Sequence, residues 1–165
     1  MIKDRADKII QLVEANPGIR YSEIKRVTGL TNGVLSHHIS KIEKSGKIII
    51  ERTPRVARLY PCGTPQEHTI AIKHLKNPTS RKILTALLKS DLSYKDIVKK
   101  TSKSQSTVSI CLKNMCDDSI IQKKFVLSNL VFQLTNRELM DSLIEKQQSF
   151  IESSANNISD IFSSL

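Results

Sequence analysis

The sequence predicts a mainly α-helical chain with small β hairpins, built as two successive copies of one unit followed by a long helix. Tyr21, Ile24, Thr28, Leu35, Ser36, Ile39 and Ile42 recur without a gap as Tyr94, Ile97, Thr101, Val108, Ser109, Leu112 and Met115. An ungapped echo of this kind marks a duplicated supersecondary unit. Within each copy the apolar residues fall three or four apart, the spacing of one helix face, on both sides of a short turn. After the last helix of each copy, short apolar runs flank basic residues, as in a hairpin.

The first copy opens with a helix over 3–15, in which Ala6, Ile9, Ile10 and Val13 share a face, and Asn16-Pro17-Gly18 stops it. Ser22 is placed to cap a short second helix with Ile24 and Val27 inward, and Gly29 supplies the left-handed turn that follows. Thr31 is placed to cap a third helix over 31–45, with Leu35, Ile39 and Ile42 inward and Gly46 at its end. Ile48-Ile49-Ile50 reads as a strand, residues 52–58 as a basic turn-rich loop, and Leu59-Tyr60 as the returning strand. Three helices and a basic hairpin make a winged helix.

Pro61-Cys62-Gly63-Thr64-Pro65 reads as a short rigid joint, with Thr64, Pro65 and Glu67 fitting the first positions of a new helix. That helix runs through Leu75, breaks at Asn77-Pro78 and resumes with Ile83, Leu84, Leu87 and Leu88 inward. Ser93 and Asp96 read as a capping pair, residues 104–116 as the third helix, and Ile120-Ile121 with Val126 to Leu134 as a hairpin around Lys123-Lys124. The fold class is therefore mainly α with small β wings: two winged helix-turn-helix domains in tandem, over 1–62 and 63–134, and a long C-terminal helix over 135–165.

The chain has 165 residues and a formal net charge of +10. The charge is uneven: residues 1–66 carry +6, residues 67–134 carry +7, and residues 135–165 carry −3. Basic charge concentrated in the repeats favours a polyanionic partner such as nucleic acid. No apolar run is long enough to cross a bilayer, and Met1-Ile2-Lys3-Asp4-Arg5 lacks the apolar core of a signal peptide, so the expected location is the cytoplasm, at the nucleoid. Cys62, Cys111 and Cys116 cannot all pair within one chain and read as reduced thiols.

Leu75-Lys76-Asn77-Pro78-Thr79-Ser80-Arg81-Lys82-Ile83-Leu84 resembles the entry to the ArsR-type winged helix, and Ser104-Gln105-Ser106-Thr107-Val108-Ser109 the start of its recognition helix. In the first copy, Leu35-Ser36-His37-His38-Ile39 resembles the middle of that helix, and residues 16–24 have an archaeal look. Together these segments resemble archaeal ArsR/MarR-type transcriptional regulators, and the resemblance implies transcriptional control through DNA.

A recognition helix in the major groove needs small or hydrogen-bonding side chains near its N-terminus and basic ones near phosphates. In the first copy these are Thr31, Asn32, Gly33, Ser36, His37 and Ser40, with Lys41 and Lys44 for phosphates. Arg52, Arg55 and Arg58 of the wing suit a minor groove, where narrow A-tracts attract arginine. In the second copy they are Ser104, Gln105, Ser106, Ser109 and Lys113, with Lys123 and Lys124 in the wing; a glutamine carboxamide can pair with adenine. The same residue types also serve as caps and solvated surface. Ile110 stands where the first copy has His37, suited to a groove only against a thymine methyl, and Asp117 and Asp118 add adverse charge. A protein-interaction role for the second copy follows as an alternative, as does an architectural binder without sequence preference.

ArsR-type regulators often sense metals, but the paired-cysteine motif has no counterpart here. Cys111 and Cys116 lie five apart on one helix, and His37 and His38 are adjacent, so neither pair shares a face. No metal or other cofactor is expected. A redox role for Cys111 lacks a basic cluster to depress its pKa. Without a phosphate loop, a serine-elbow motif or spaced carboxylates, the chain reads as a binder and not an enzyme.

In the tail, Thr135 and Glu138 read as a capping box, and Leu139, Leu143, Phe150, Ile151, Ile158 and Phe162 as an apolar stripe at helical spacing. A helix of about 27 residues spans about 40 Å, more than a small domain needs for its own cover. Homodimerisation through this stripe is the preferred expectation, with folding back onto the second copy as its rival. A protein of the transcription machinery is a further expected partner.

Overall fold

The computed structural model describes the backbone of residues 4–162 and the side chains of residues 4–153. The chain divides into two compact units, Met1–Pro65 with Gln147–Leu165 and Gln66–Lys146.

In the first unit, α1 (Arg5–Ala15), α2 (Tyr21–Thr28) and α3 (Asn32–Lys44) pack with β1 (Ile19–Arg20), β2 (Ile48–Arg52) and β3 (Ala57–Pro61). β3 is the central strand of an antiparallel sheet in the order β1-β3-β2, with Ile19 opposite Leu59 and Ile50 also opposite Leu59. Ile9, Leu12, Val13, Ile24, Leu35, Ile39, Ile42, Ile48 and Leu59 make the core. Leu12, not Ile10, completes the buried face of α1. Burying such aliphatic side chains contributes about 1.5–3 kcal/mol each before chain entropy is subtracted.

The second unit repeats the plan. α4 (Gln66–Leu75) precedes α5 (Pro78–Lys89), β4 (Leu92–Ser93), α6 (Tyr94–Thr101), α7 (Gln105–Asp117), β5 (Ile121–Val126) and β6 (Asn129–Leu134), with sheet order β4-β6-β5. α8 (Arg137–Phe162) follows. Asn77 starts α5 by accepting from the Thr79 and Ser80 amides, both at 3.0 Å, with Pro78 in the first turn where its missing N–H costs nothing.

The duplication extends to the backbone. Gly29 ends α2 at φ 66°, and its counterpart Ser102 ends α6 at φ 54°. Thr28 and Thr101, both buried, donate to the carbonyls of Ile24 and Ile97. Beyond α3, the amides of Gly46 and Lys47 bond the carbonyls of Glu43 and Ile42; beyond α7, those of Ser119 and Ile120 bond Cys116 and Met115. Each set is a paired C-terminal closure around one left-handed residue, Gly46 at φ 72° and Ser119 at φ 59°.

Several element ends differ from the sequence expectation. α1 begins at Arg5 with Asp4 as its cap position. α2 starts at Tyr21, so Ser22 lies inside it and Arg20 takes the cap position; Glu23 accepts from the Arg20 amide at 3.0 Å. α4 starts at Gln66, because Thr64 turns its hydroxyl back onto the Pro61 carbonyl at 2.7 Å. Asn136, not Thr135, caps α8, accepting from the Leu139 amide, while the Thr135 amide closes the sheet onto the Ile120 carbonyl. The second hairpin does not turn at Lys123-Lys124, which lie within β5; it turns at Leu127-Ser128, with Val126 opposite Asn129.

Candidate nucleic-acid interface

Each third helix is held at its N-terminal end by a tyrosine from the helix before it. Tyr21 donates to the Asn32 carbonyl at 3.2 Å, and Tyr94 donates to the Gln105 carbonyl at 2.9 Å. Leu35, Ile39 and Ile42 of α3, and Val108, Leu112 and Met115 of α7, anchor the opposite faces. What stays outside is the polar set expected from the sequence.

On α3, Asn32, Gly33, Ser36, His37, Lys41 and Lys44 are exposed, and Ser40 is half-buried. Thr31 occupies the cap position but its hydroxyl makes no cap bond. A Cβ placed on Gly33 would meet nothing within 4 Å, so the fold itself does not demand glycine there. The open space lets a ligand's backbone or groove wall approach closely. The His37 and His38 rings meet edge to face with centroids 5.9 Å apart.

The three wing arginines have different roles. Arg55 is exposed at the tip, in a loop closed by the Thr53 amide and hydroxyl donating to the Val56 carbonyl. Arg52 forms a bidentate pair with Glu43, at 2.8 and 2.7 Å, which ties β2 to the last turn of α3. That hydrogen bonding pulls the Glu43 carboxyl below its usual range. Arg58 is half-buried and donates to the Gly18 carbonyl at 2.9 Å. Its guanidinium pKa is lowered, by burial first and then by the nearby charge of Arg20. Arg58 is thus committed to the β1–β3 junction.

On α7, Gln105, Ser106, Ser109 and Lys113 are exposed. Ser104 is a working cap, accepting from the Thr107 amide at 3.3 Å, and Ser109 shares a 2.8 Å hydrogen bond with Tyr94. Lys123 and Lys124 stand exposed along β5. Between α7 and the wing lies an open cleft of 280 Å³ lined by Tyr94, Ser109, Lys113, Lys123 and Phe132 among others.

The two acids at the end of α7 are both neutralised. Asp117 pairs with Lys113 at 2.7 Å. Asp118 accepts from Lys73 at 2.8 Å and from His74 Nε2 at 2.6 Å. Burial works to raise the Asp118 pKa, but the hydrogen bonds from Lys73 and His74 outweigh it and hold the carboxyl low. For His74, burial outweighs the carboxylate and pushes the imidazole pKa down. Ile110 is 61% exposed.

Of the tail stripe, Leu143 is buried in its own unit beside Met140 and Ile144, which the sequence reading missed, and is not free for a partner. Leu139 and Phe150 are half-buried and Ile151 is exposed. Ile158 and Phe162 lie outside the residues whose side chains are described. Sequence reasoning also missed the clamping role of the two tyrosines, although both stand in the repeat, and the Lys73–His74–Asp118 cluster, whose members lie 44 or 45 positions apart.

All three cysteines are free thiols: Cys62 exposed, Cys111 buried and Cys116 between. Burial raises the Cys116 pKa, which disfavours the reactive thiolate. Among the described residues no group of three His, Cys, Asp or Glu side chains could hold a metal ion, and no helix is long and apolar enough to cross a membrane.

The model of a winged helix-turn-helix DNA-binding family matches residues 4–49 and again residues 76–122, in step with the duplication. No curated protein matches. Among solved structures, the chain is similar to a homodimeric winged helix-turn-helix DNA-binding domain from Mycobacterium bovis, described as a possible ArsR-family transcriptional regulator, at 15% identity over 54% of this chain and 82% of that one (TM-score 0.46). It is also similar to the transcriptional repressor BigR from Xylella fastidiosa, at 17% identity over 51% and 86% (TM-score 0.45), and to HlyU from Vibrio cholerae, at 19% over 52% and 92% (TM-score 0.45). The two family matches together span more than half of the sequence, and on that ground the chain belongs to the winged helix-turn-helix DNA-binding family.

Proposed function

We propose that this protein is a transcriptional regulator that binds double-stranded DNA sequence-specifically, reading bases with the exposed N-terminal halves of α3 and α7. The observation that carries this is the outer face of α3: Asn32, Gly33, Ser36 and His37 are exposed together, Thr31 makes no cap bond, and Arg55 stands at the tip of the adjoining wing. Hydrogen-bonding groups near the helix start can meet base edges, while Lys41, Lys44 and Arg55 meet phosphates or a minor groove. The second unit follows the same plan with Gln105, Ser106, Ser109 and Lys113, and Lys123 and Lys124 in its wing. Ile110 is a contact for a thymine methyl. Arg52 and Arg58 act chiefly by fixing the wing, given their bonds to Glu43 and Gly18.

The working domains are 1–62 and 63–134, with 135–165 as a dimerisation helix acting through its residues beyond Leu143. The protein acts at the nucleoid without a cofactor or catalytic step.

The test is selection of bound sequences from a random duplex library by the full chain at near-physiological salt. An enriched motif is expected, and a two-fold symmetric one would report the dimer through its half-site spacing. Retention without enrichment would replace the regulator with an architectural binder, a reading that the exposed apolar second wing favours. No retention would overturn DNA binding and turn attention to a transcription-machinery protein as partner.

A further inference from the structure

The two wings share a fold and differ in chemistry. The loop of the first is Thr53-Pro54-Arg55-Val56, whereas the second ends in Phe125-Val126-Leu127-Ser128-Asn129-Leu130. Phe125 is 74% exposed and Leu127 92%, and Val126 and Leu130 are exposed as well.

The backbone makes this choice costlier. Leu127 and Ser128 form a two-residue turn with φ of 47° and 66°. Two successive positive φ values are the hairpin geometry that ordinarily takes Asn-Gly or Asp-Gly, and a leucine there strains against its own Cβ. An exposed leucine in a left-handed position serves neither stability nor solubility, and such strain persists where a site uses it.

The approach to the tip is basic. By strand alternation Lys123 and Phe125 share one face of β5, and Lys124 and Val126 the other, so each face carries an ammonium group about 7 Å behind an apolar side chain. Asp117 and Asp118, at the end of α7, are paired with Lys113 and with Lys73 and His74, which leaves Lys123 and Lys124 to face an anion. A groove walled by phosphates and floored by base edges matches this order of charge outside and apolar surface within.

We propose that the second wing is an apolar wedge for the DNA minor groove: Lys123 and Lys124 hold the flanking phosphates while Phe125 and Leu127 enter the groove, part a base step and bend the duplex. This rests on the DNA-binding reading above and adds to it a mechanical action. Flexible pyrimidine–purine steps are the sites where such unstacking costs least.

The test compares the wild-type chain with the double variant Phe125→Ser, Leu127→Asn. The probe is a duplex of about 30 base pairs containing TA and CA/TG steps, with 2-aminopurine at those steps and a fluorophore pair at its ends. Asparagine tolerates the left-handed turn, so the variant should melt no lower than wild type, and far-UV circular dichroism verifies its fold.

For wild type, a several-fold rise in 2-aminopurine emission and an increase in end-to-end energy transfer corresponding to a bend of about 20–90° are expected on binding. The variant should still bind, about 10-fold more weakly, with both signals lost. Wild-type binding without either signal overturns the wedge and leaves DNA binding standing, as does a variant that unstacks and bends as wild type does. Failure of the wild type to bind any duplex overturns both readings together.

Discussion

The Tyr94 hydroxyl donates to the carbonyl of Gln105 at 2.9 Å, across the turn between α6 and α7, and sits 2.8 Å from the Ser109 hydroxyl. The first unit has the same clamp, from Tyr21 to Asn32 at 3.2 Å. An acceptor at a helix's first residue ordinarily bonds onward within the helix, so the tyrosine adds a second donor that fixes how the helix start is aimed. Tyr94→Phe should cost about 1 kcal/mol, the typical net worth of one hydrogen bond, read as a fall in melting temperature. Because Ser109 is also released, affinity for a selected duplex should fall more than Tyr21→Phe makes it fall; equal losses would show that the Ser109 contact does not matter.

Arg55 and Arg58 should separate cleanly. Arg55→Ala removes an exposed charge and should leave melting unchanged, while flattening the slope of log affinity against log salt by about one unit. Arg58→Ala removes a half-buried donor to the Gly18 carbonyl and should destabilise by about 1–3 kcal/mol. A stable Arg58→Ala protein with a flattened salt slope would reassign that arginine to DNA.

Gly33 offers an opposite pairing of effects. A helical glycine with open space around its Cβ position should gain about 0.5–1 kcal/mol on replacement by alanine. The same methyl would stand between α3 and a groove, so DNA affinity should drop. A variant both more stable and equally tight would remove Gly33 from the interface.

His74 makes the second unit sensitive to acid. Its pKa is lowered in the folded protein, mainly by burial, so below about 6.5 the unfolded chain takes up a proton that the folded chain refuses. Stability should therefore decline as pH falls through about 6.5 toward the lower folded value. The contribution of Asp118, held low by Lys73 and His74, persists until the pH falls through the carboxylate range. His74→Gln should erase the upper part of this decline in melting curves recorded between about pH 5 and 7.5. An unchanged profile would exclude His74 as its source.

Ser102 and Ser119 stand where the first unit has Gly29 and Gly46, at left-handed φ of 54° and 59°. Replacing either with glycine relieves a steric cost and adds an entropic one, and at positive φ the first should win by up to about 1 kcal/mol. Denaturant midpoints of the two single variants measure the balance.

The repeat made most of the fold legible from the sequence, since each apolar position in the echo lands in a core: Leu35 and Val108, Ile39 and Leu112, Ile42 and Met115. The errors arose where local signals compete or are absent. Ser22 looked like a cap, yet the two-residue strand Ile19–Arg20 must pair with β3, and that pairing starts the helix earlier. The turn at Leu127-Ser128 has no glycine or proline to announce it. Arg58 looked like its neighbours in a basic run; only pairing with Arg20 across the sheet, 38 positions away, turns it onto Gly18. Asp118 looked like free negative charge because Lys73 and His74 are brought to it only by the fold, whereas the Lys113 partner of Asp117 stands four positions back on the same helix.

The unequal copies give this chain a head and a tail. Asn32 and His37 in one recognition helix answer to Gln105 and Ile110 in the other, and an arginine tip in one wing answers to a leucine tip in the other. A DNA segment contacted by both units of one molecule would meet a different set of side chains in each half, so exchanging its two halves would offer each unit the other's bases.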